Sequence, residues 1–169
     1  MKIVVAIDSL KGCLSSLEAG DAIKSGILKV MPDAEVYIRP LADGGEGTVE
    51  ALTLGMGGTF RTVTVTGPLT ESVDCVYGIL KDSKTAIIEM SGAAGITLIP
   101  AAKRNPLYTT TYGVGEVIKD AISNGCRLFI VGIGGSATND GGIGMLQALG
   151  YGMLDKNGKQ VFKRSNNWK

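Results

Sequence analysis

The chain has 169 residues, among them 25 Gly, 3 Cys and no His, and a net charge of +1. Without His there is no Ser-His-Asp triad, no His-ligated zinc and no imidazole acid–base pair, so proton transfer must use carboxylate, Lys, Tyr or water. The near-neutral balance argues against a dedicated nucleic-acid surface, and a composition that is 44% hydrophobic means the Gly surplus is not low-complexity filler.

The length suits one ordinary domain or parts of two. Cys13, Cys75 and Cys126 are far apart and form no CxxC pair, which points away from a disulfide framework or zinc ribbon and toward a reduced, cytoplasmic setting. The apolar run from Ile3 to Ile7 is cut short by Asp8, so it does not read as a signal peptide. No window approaches the ~18 uninterrupted apolar residues of a membrane span.

In chain order, residues 3–7 read as a fully buried strand. Ser15 and Glu18 form a capping box for a helix with Leu17, Ala19, Ile23, Ile27 and Val30 on one stripe, ended before Pro32. Residues 34–38 read as a second strand. Asp43 and Glu46 stand where they could cap a helix running to Gly55, and this β-α-β-α opening implies parallel strands with right-handed crossovers. Residues 59–66 alternate and are Thr-rich, the pattern of a strand with one solvated face. With residues 72–80 and 84–90 they suggest an antiparallel meander, so a second unit is expected from residue 59. Val114, Val117, Ile118, Ala121 and Ile122 define a helix capped from Thr109–Thr111 and ended by Gly125. Residues 127–133 read as a buried strand, 134–142 as a loop, 143–149 as a short helix, and Asn157-Gly158 as the turn of a weak hairpin.

The polar loops after strands carry the chemistry expected at the carboxyl ends of an α/β sheet. There Asp8, Lys11, Asp43, Glu46 and Asp140 could converge. The segment 132–144 is dense in Gly, which lets backbone N–H groups approach an anion, and Ser136, Thr138 and Asn139 add neutral donors. Asp140 would repel phosphate, so it suits a Mg²⁺ or a substrate hydroxyl; the alternative is a helix N-cap. Asp8 could accept a hydroxyl proton or hold a metal, and Lys11 could neutralise phosphate oxygens; the alternative is a surface turn. Asp43-Gly44-Gly45-Glu46-Gly47 could contact a metal or polyol, or merely cap a helix. A rival pattern is Gly132-x-Gly134-x-x-Ala137 with Asp155, which is similar to a dinucleotide-binding fingerprint and would make the chain an oxidoreductase fragment. A second rival is a non-catalytic relic or interaction protein. The absence of GxxxxGK[ST] excludes a P-loop kinase.

The blocks DSLKGCLSSLEA (8–19), PLADGGEGT (40–48), MSGAAGI (90–96), NPLYTTTYGVGE (105–116) and GIGGSATNDGGIGMLQALG (132–150) together resemble the bacterial glycerate kinase family. The resemblance runs from Met1 to about Phe162, with the blocks in order. It implies ATP- and Mg²⁺-dependent phosphorylation of D-glycerate, usually to the 2-phospho product. It also implies two α/β domains, one of them flavodoxin-like, with the site in the cleft between them. Residues 1–58 would then belong to the flavodoxin-like domain, 59–162 to the second domain, and 163–169 to a tail unlike the family. Under this resemblance Asp8, Lys11, Asp43 and Asp140 are the catalytic candidates, with Asp43 and Asp140 also the Mg²⁺ candidates. Gly44, Gly45, Glu46, Ser91, Gly134, Gly135, Ser136, Thr138 and Asn139 would bind substrate or phosphate. The partners are small molecules, D-glycerate and ATP, with no nucleic acid and no membrane. Family members are considerably longer, so the chain is expected to be a truncated N-terminal portion, inactive alone.

Overall fold

The computed structural model describes residues 1–10, 13–82 and 84–161. The expected tail, 163–169, lies outside the described residues.

Strand β1 (Lys2–Ile7) and strand β2 (Glu35–Pro40) pair in parallel, with Val5 opposite Ile38. Between them runs α1 (Ser16–Val30), whose capping box forms as expected: Ser15 Oγ accepts from Glu18 N at 3.2 Å, and Glu18 Oε2 accepts from Ser15 N at 2.8 Å. The two bonds satisfy donors that a helix start leaves open. Helix α1 lies on the face carrying Val5 and Ile38, and a Cβ added to Gly20 would stand 2.5 Å from Ile38 Cγ2. The opposite face is open. The first strand is therefore not fully buried, because a two-stranded sheet offers only one face to a single helix and Val4 stays 64% exposed.

After helix α2 (Thr48–Gly55), strands β3 (Thr59–Thr66), β4 (Ser72–Ile79), β5 (Thr85–Glu89) and β6 (Leu128–Gly132) form one sheet in that spatial order. Strands β3, β4 and β5 make the antiparallel meander, and β6 joins β5 in parallel. The crossover is α3 (Ser91–Ala94), three single 3-10 turns and α4 (Tyr112–Ser123). Helix α5 (Ile143–Ala148) follows β6.

The alternation seen in sequence fixes the two faces of this sheet. Val65, Cys75, Tyr77, Ala86 and Ile88 pack on Val114, Val117, Ile118 and Ala121 of α4, a helix stripe meeting a strand face at their natural periods. On the other face Ile87 meets Val49 and Leu52 of α2, with Leu80. That helix is too short to reach β6, so the strand expected to be buried has Leu128 60% and Ile130 44% exposed. The expected terminal hairpin reduces to one bridge, Leu154 with Gln160, around Gly158.

Candidate functional site

The loops after β1, β2, β5 and β6 do come together. A cleft of about 600 Å³ opens between the start of α1 and the start of α2, lined among others by Ser9, Ser15, Glu46, Glu50, Phe60 and Glu89. Its described lining carries three carboxylates and no basic side chain. Ser9 Oγ is buried there without a hydrogen-bond partner among the described residues.

Backbone packing joins the two Gly-rich loops. Gly134 N donates to Gly44 O at 2.9 Å. A Cβ on Gly134 would sit 2.6 Å from Gly45 Cα, and one on Gly132 would sit 2.6 Å from Gly44 O. Glycine is needed here so that one backbone can lie against another. Gly135 touches Ser91, and its carbonyl accepts from Ile96 N. Gly44, Gly45, Gly134, Gly135 and Ser91 are thus one cluster. Ser136 and Thr138 sit at its rim with their hydroxyls 2.9 Å apart, and Asn139 is exposed beyond them.

The acidic candidates separate. Asp8 is half-buried and accepts from Ser9 N at 2.6 Å. Asp43 is exposed and accepts from Gly45 N at 3.1 Å. Neither Asp43 nor Glu46 caps α2, whose N-cap is Gly47 with no side-chain bond. Glu46 instead faces the cleft. Lys11 lies outside the described residues.

Asp140 stands apart from the cleft lining. It is 8% exposed. Its Oδ2 accepts from Thr111 N at 2.8 Å, Thr111 Oγ1 at 2.7 Å and Gly144 N at 3.2 Å, while Oδ1 accepts from Gly142 N at 3.0 Å. Three of these four donors fall on Oδ2 and one on Oδ1, and through them Asp140 ties the start of α4 to the start of α5. Thr111 Oγ1 in turn accepts from Met145 N at 3.0 Å and makes no cap on its own helix. The acid of the dinucleotide-like pattern lies in a tight turn of its own. The carboxylate of Asp155 accepts from Asn157 N and Lys159 N within its own turn.

Glu89 was not among the residues singled out from sequence. It ends the apolar run TAIIE of the central strand β5, and that lone carboxylate was the available signal. Its Oε1 accepts from Val49 N at 2.7 Å, fastening α2 to the sheet, and its Oε2 receives a long 3.4 Å bond from Ser91 Oγ. Burial pushes its carboxyl above the ordinary glutamate value, with help from Glu46, against the pull of the N–H bonds from Val49 and Gly47.

The sequence profile of the glycerate kinase family matches residues 3–169. Glycerate 2-kinase of Escherichia coli K12 is 52% identical over 161 residues, which are 95% of this chain and 42% of that protein. Glycerate kinase of Bacillus subtilis 168 is 51% identical with the same coverage. A crystal structure described as glycerate kinase 2 from Salmonella typhimurium LT2 superposes with a TM-score of 0.83 at 50% identity, over 95% of this chain and 43% of that one. The chain spans less than half the length of these relatives, and within that span it belongs to the glycerate kinase family.

Proposed function

We propose that this chain supplies one wall of the active cleft for ATP-dependent phosphorylation of D-glycerate, giving 2-phosphoglycerate. The observation that carries the reading is the match to glycerate kinases across 95% of the chain. The cleft it builds at its strand ends is the place where chemistry would occur.

Among the described residues no group of three or more metal-ligating side chains exists, so a Mg²⁺ here would be held by one or two carboxylates together with the phosphates of a bound nucleotide. The described cleft lining is acidic, which repels phosphate. Residues of this chain can instead serve the hydroxyl side of the substrate. Ser9 Oγ is a buried hydroxyl without a partner among the described residues, and a glycerate oxygen would satisfy it. Glu89 lies in the cleft with a raised affinity for protons, the property that makes a carboxylate an effective acceptor from an alcohol. Asp8, after β1, and Asp43, after β2, are the further acidic candidates. The cluster of Gly44, Gly45, Gly134 and Gly135 adjoins the cleft in sequence at Glu46 and Gly47, and Ser91, Ser136, Thr138 and Asn139 are the candidate neutral donors.

The test is a chimera in which residues 3–161 replace the matching segment of the Escherichia coli enzyme. It is expected to phosphorylate D-glycerate with ATP. E89Q in that chimera is expected to lower kcat about 100-fold and to remove the limb on which the rate rises with pH as Glu89 ionises. A folded chimera without glycerate-dependent ADP release would overturn the functional reading. An active E89Q with an unchanged pH profile would remove Glu89 from the chemistry.

A further inference from the structure

Ser91 stands between Glu89 and the Gly-rich loop after β6, in a stretch of chain laced to that loop. Met90 N donates to Gly132 O, Ile96 N to Gly135 O and Ala137 N to Ala94 O, each at 2.9 Å, and Gly95 bridges Ser136. A Cβ on Gly135 would stand 3.2 Å from Ser91 Cβ, and Gly135, at φ 72° and without a side chain, lets the loop come this close. On the other side the Ser91 hydroxyl donates to Glu89 Oε2 at 3.4 Å. Glu89 Oε1 is committed to Val49 N by a much shorter bond, 2.7 Å, so Oε2 is the oxygen left to exchange a proton with a ligand in the cleft.

We propose that Ser91 is a positioning residue for Glu89: its hydroxyl engages the carboxylate rather than substrate, and it fixes Oε2 to the loop after β6. The role rests on the reading of Glu89 as proton acceptor given above. A serine hydroxyl suits the place because it both donates and accepts. It donates to the ionised carboxylate and turns to accept once Oε2 carries the proton, so Glu89 keeps its orientation through the transfer. The other titratable groups around Glu89 are Glu46 from the loop before α2, Glu50 from α2 and Cys13 from the loop before α1, all in the cleft lining, and Cys75 from β4, beside Gly92. Burial, and after it Glu89, push the Cys75 thiol up to about 11, so it stays protonated throughout the carboxylate range. Glu46 acts on Glu89 in the direction opposite to Ser91, because a nearby negative charge favours the protonated acid and a donated hydrogen bond favours the ionised one.

The test follows the side-chain carboxyl resonance of Glu89 in the 169-residue chain through a pH titration, the resonance being assigned by its loss in E89Q. S91A is expected to move the midpoint to higher pH, and S91G, which also lacks the hydroxyl, to titrate as S91A does. S91T keeps the hydroxyl and is expected to titrate as the parent, while E46Q moves the midpoint to lower pH. A fixed charge elsewhere at the cleft acts on parent and variants alike and drops out of the comparison. In the chimera, S91A is expected to move the ascending limb of kcat to higher pH, with KM for D-glycerate within about twofold of the parent. The proposal fails if the Glu89 midpoint stays in place or falls in S91A and S91G, or if S91T does not restore it. It fails equally if S91A raises KM about tenfold with the limb unmoved, which would make Ser91 a substrate donor. A shifted midpoint with an unmoved rate limb leaves the tie between Ser91 and Glu89 standing and removes Glu89 as the base.

Discussion

Asp140 shows how a single carboxylate can be committed by its neighbours. An acid in a Gly-rich loop invites a catalytic reading, but here two threonine donors and two glycine amides surround it. Removing a charged acceptor strands those donors, each hydrogen bond to a charged group being worth roughly 1.5–3 kcal/mol. D140A is therefore expected to lower unfolding free energy by about 3 kcal/mol, measured by urea denaturation, with D140N losing less. Equal stability of D140A and parent would show that the clamp carries no load. Glycines make the same point from the other side. G134A drives a methyl against Gly45 backbone and is expected to cost about 1–3 kcal/mol. In G26A the methyl meets nothing within 4 Å on a helix, so a gain of about 0.5–1 kcal/mol is expected. The two melts should move in opposite directions.

Among elements, the tie between strands β3 and β4 and helix α4 is electrostatic as well as apolar. Arg61 Nε donates to Asp120 Oδ2 at 2.8 Å, and the buried Tyr77 hydroxyl donates to the same oxygen at 2.7 Å. The Arg61 bond, aided by Tyr77, holds the Asp120 carboxyl below the usual aspartate value against the opposing effect of burial. A folded value below the unfolded one means the contribution is present above the ordinary aspartate range and disappears as pH falls through the folded value. The stability gap between parent and D120N should therefore close on acidification, followed by denaturation at a series of pH values. A gap that stays constant down to low pH would refute the assignment. Elements were largely legible in sequence because their signals are local. The Ser15–Glu18 box and the stripe from Val114 to Ala121 each announce a helix without reference to the rest of the chain. Strand burial was not legible. The runs 3–7 and 127–133 look alike buried, but whether a helix covers them depends on the length and placement of α1 and α2.

At the scale of the molecule, two sheets meet at their strand ends and leave a cleft with an acidic described lining. No helix among the described residues is long and apolar enough to cross a membrane. The chimera asks whether the chain's loops can serve phosphoryl transfer when the remaining length is supplied. The Gly surplus also acquires a cause at this scale, since Gly132 and Gly134 allow the loop after β6 to lie on the loop after β2.

The amino-acid sequence by itself determined the family, the order of elements and the loops that bear the polar candidates, because periodicity, caps and ordered motifs are properties of neighbouring residues. Only the tertiary structure decided which candidates share a space. Glu46 enters the cleft beside the unforeseen Glu89, while Asp140 turns inward to four donors. A carboxylate's role is set by which donors and how much solvent surround it, and those surroundings come from segments far away in the chain.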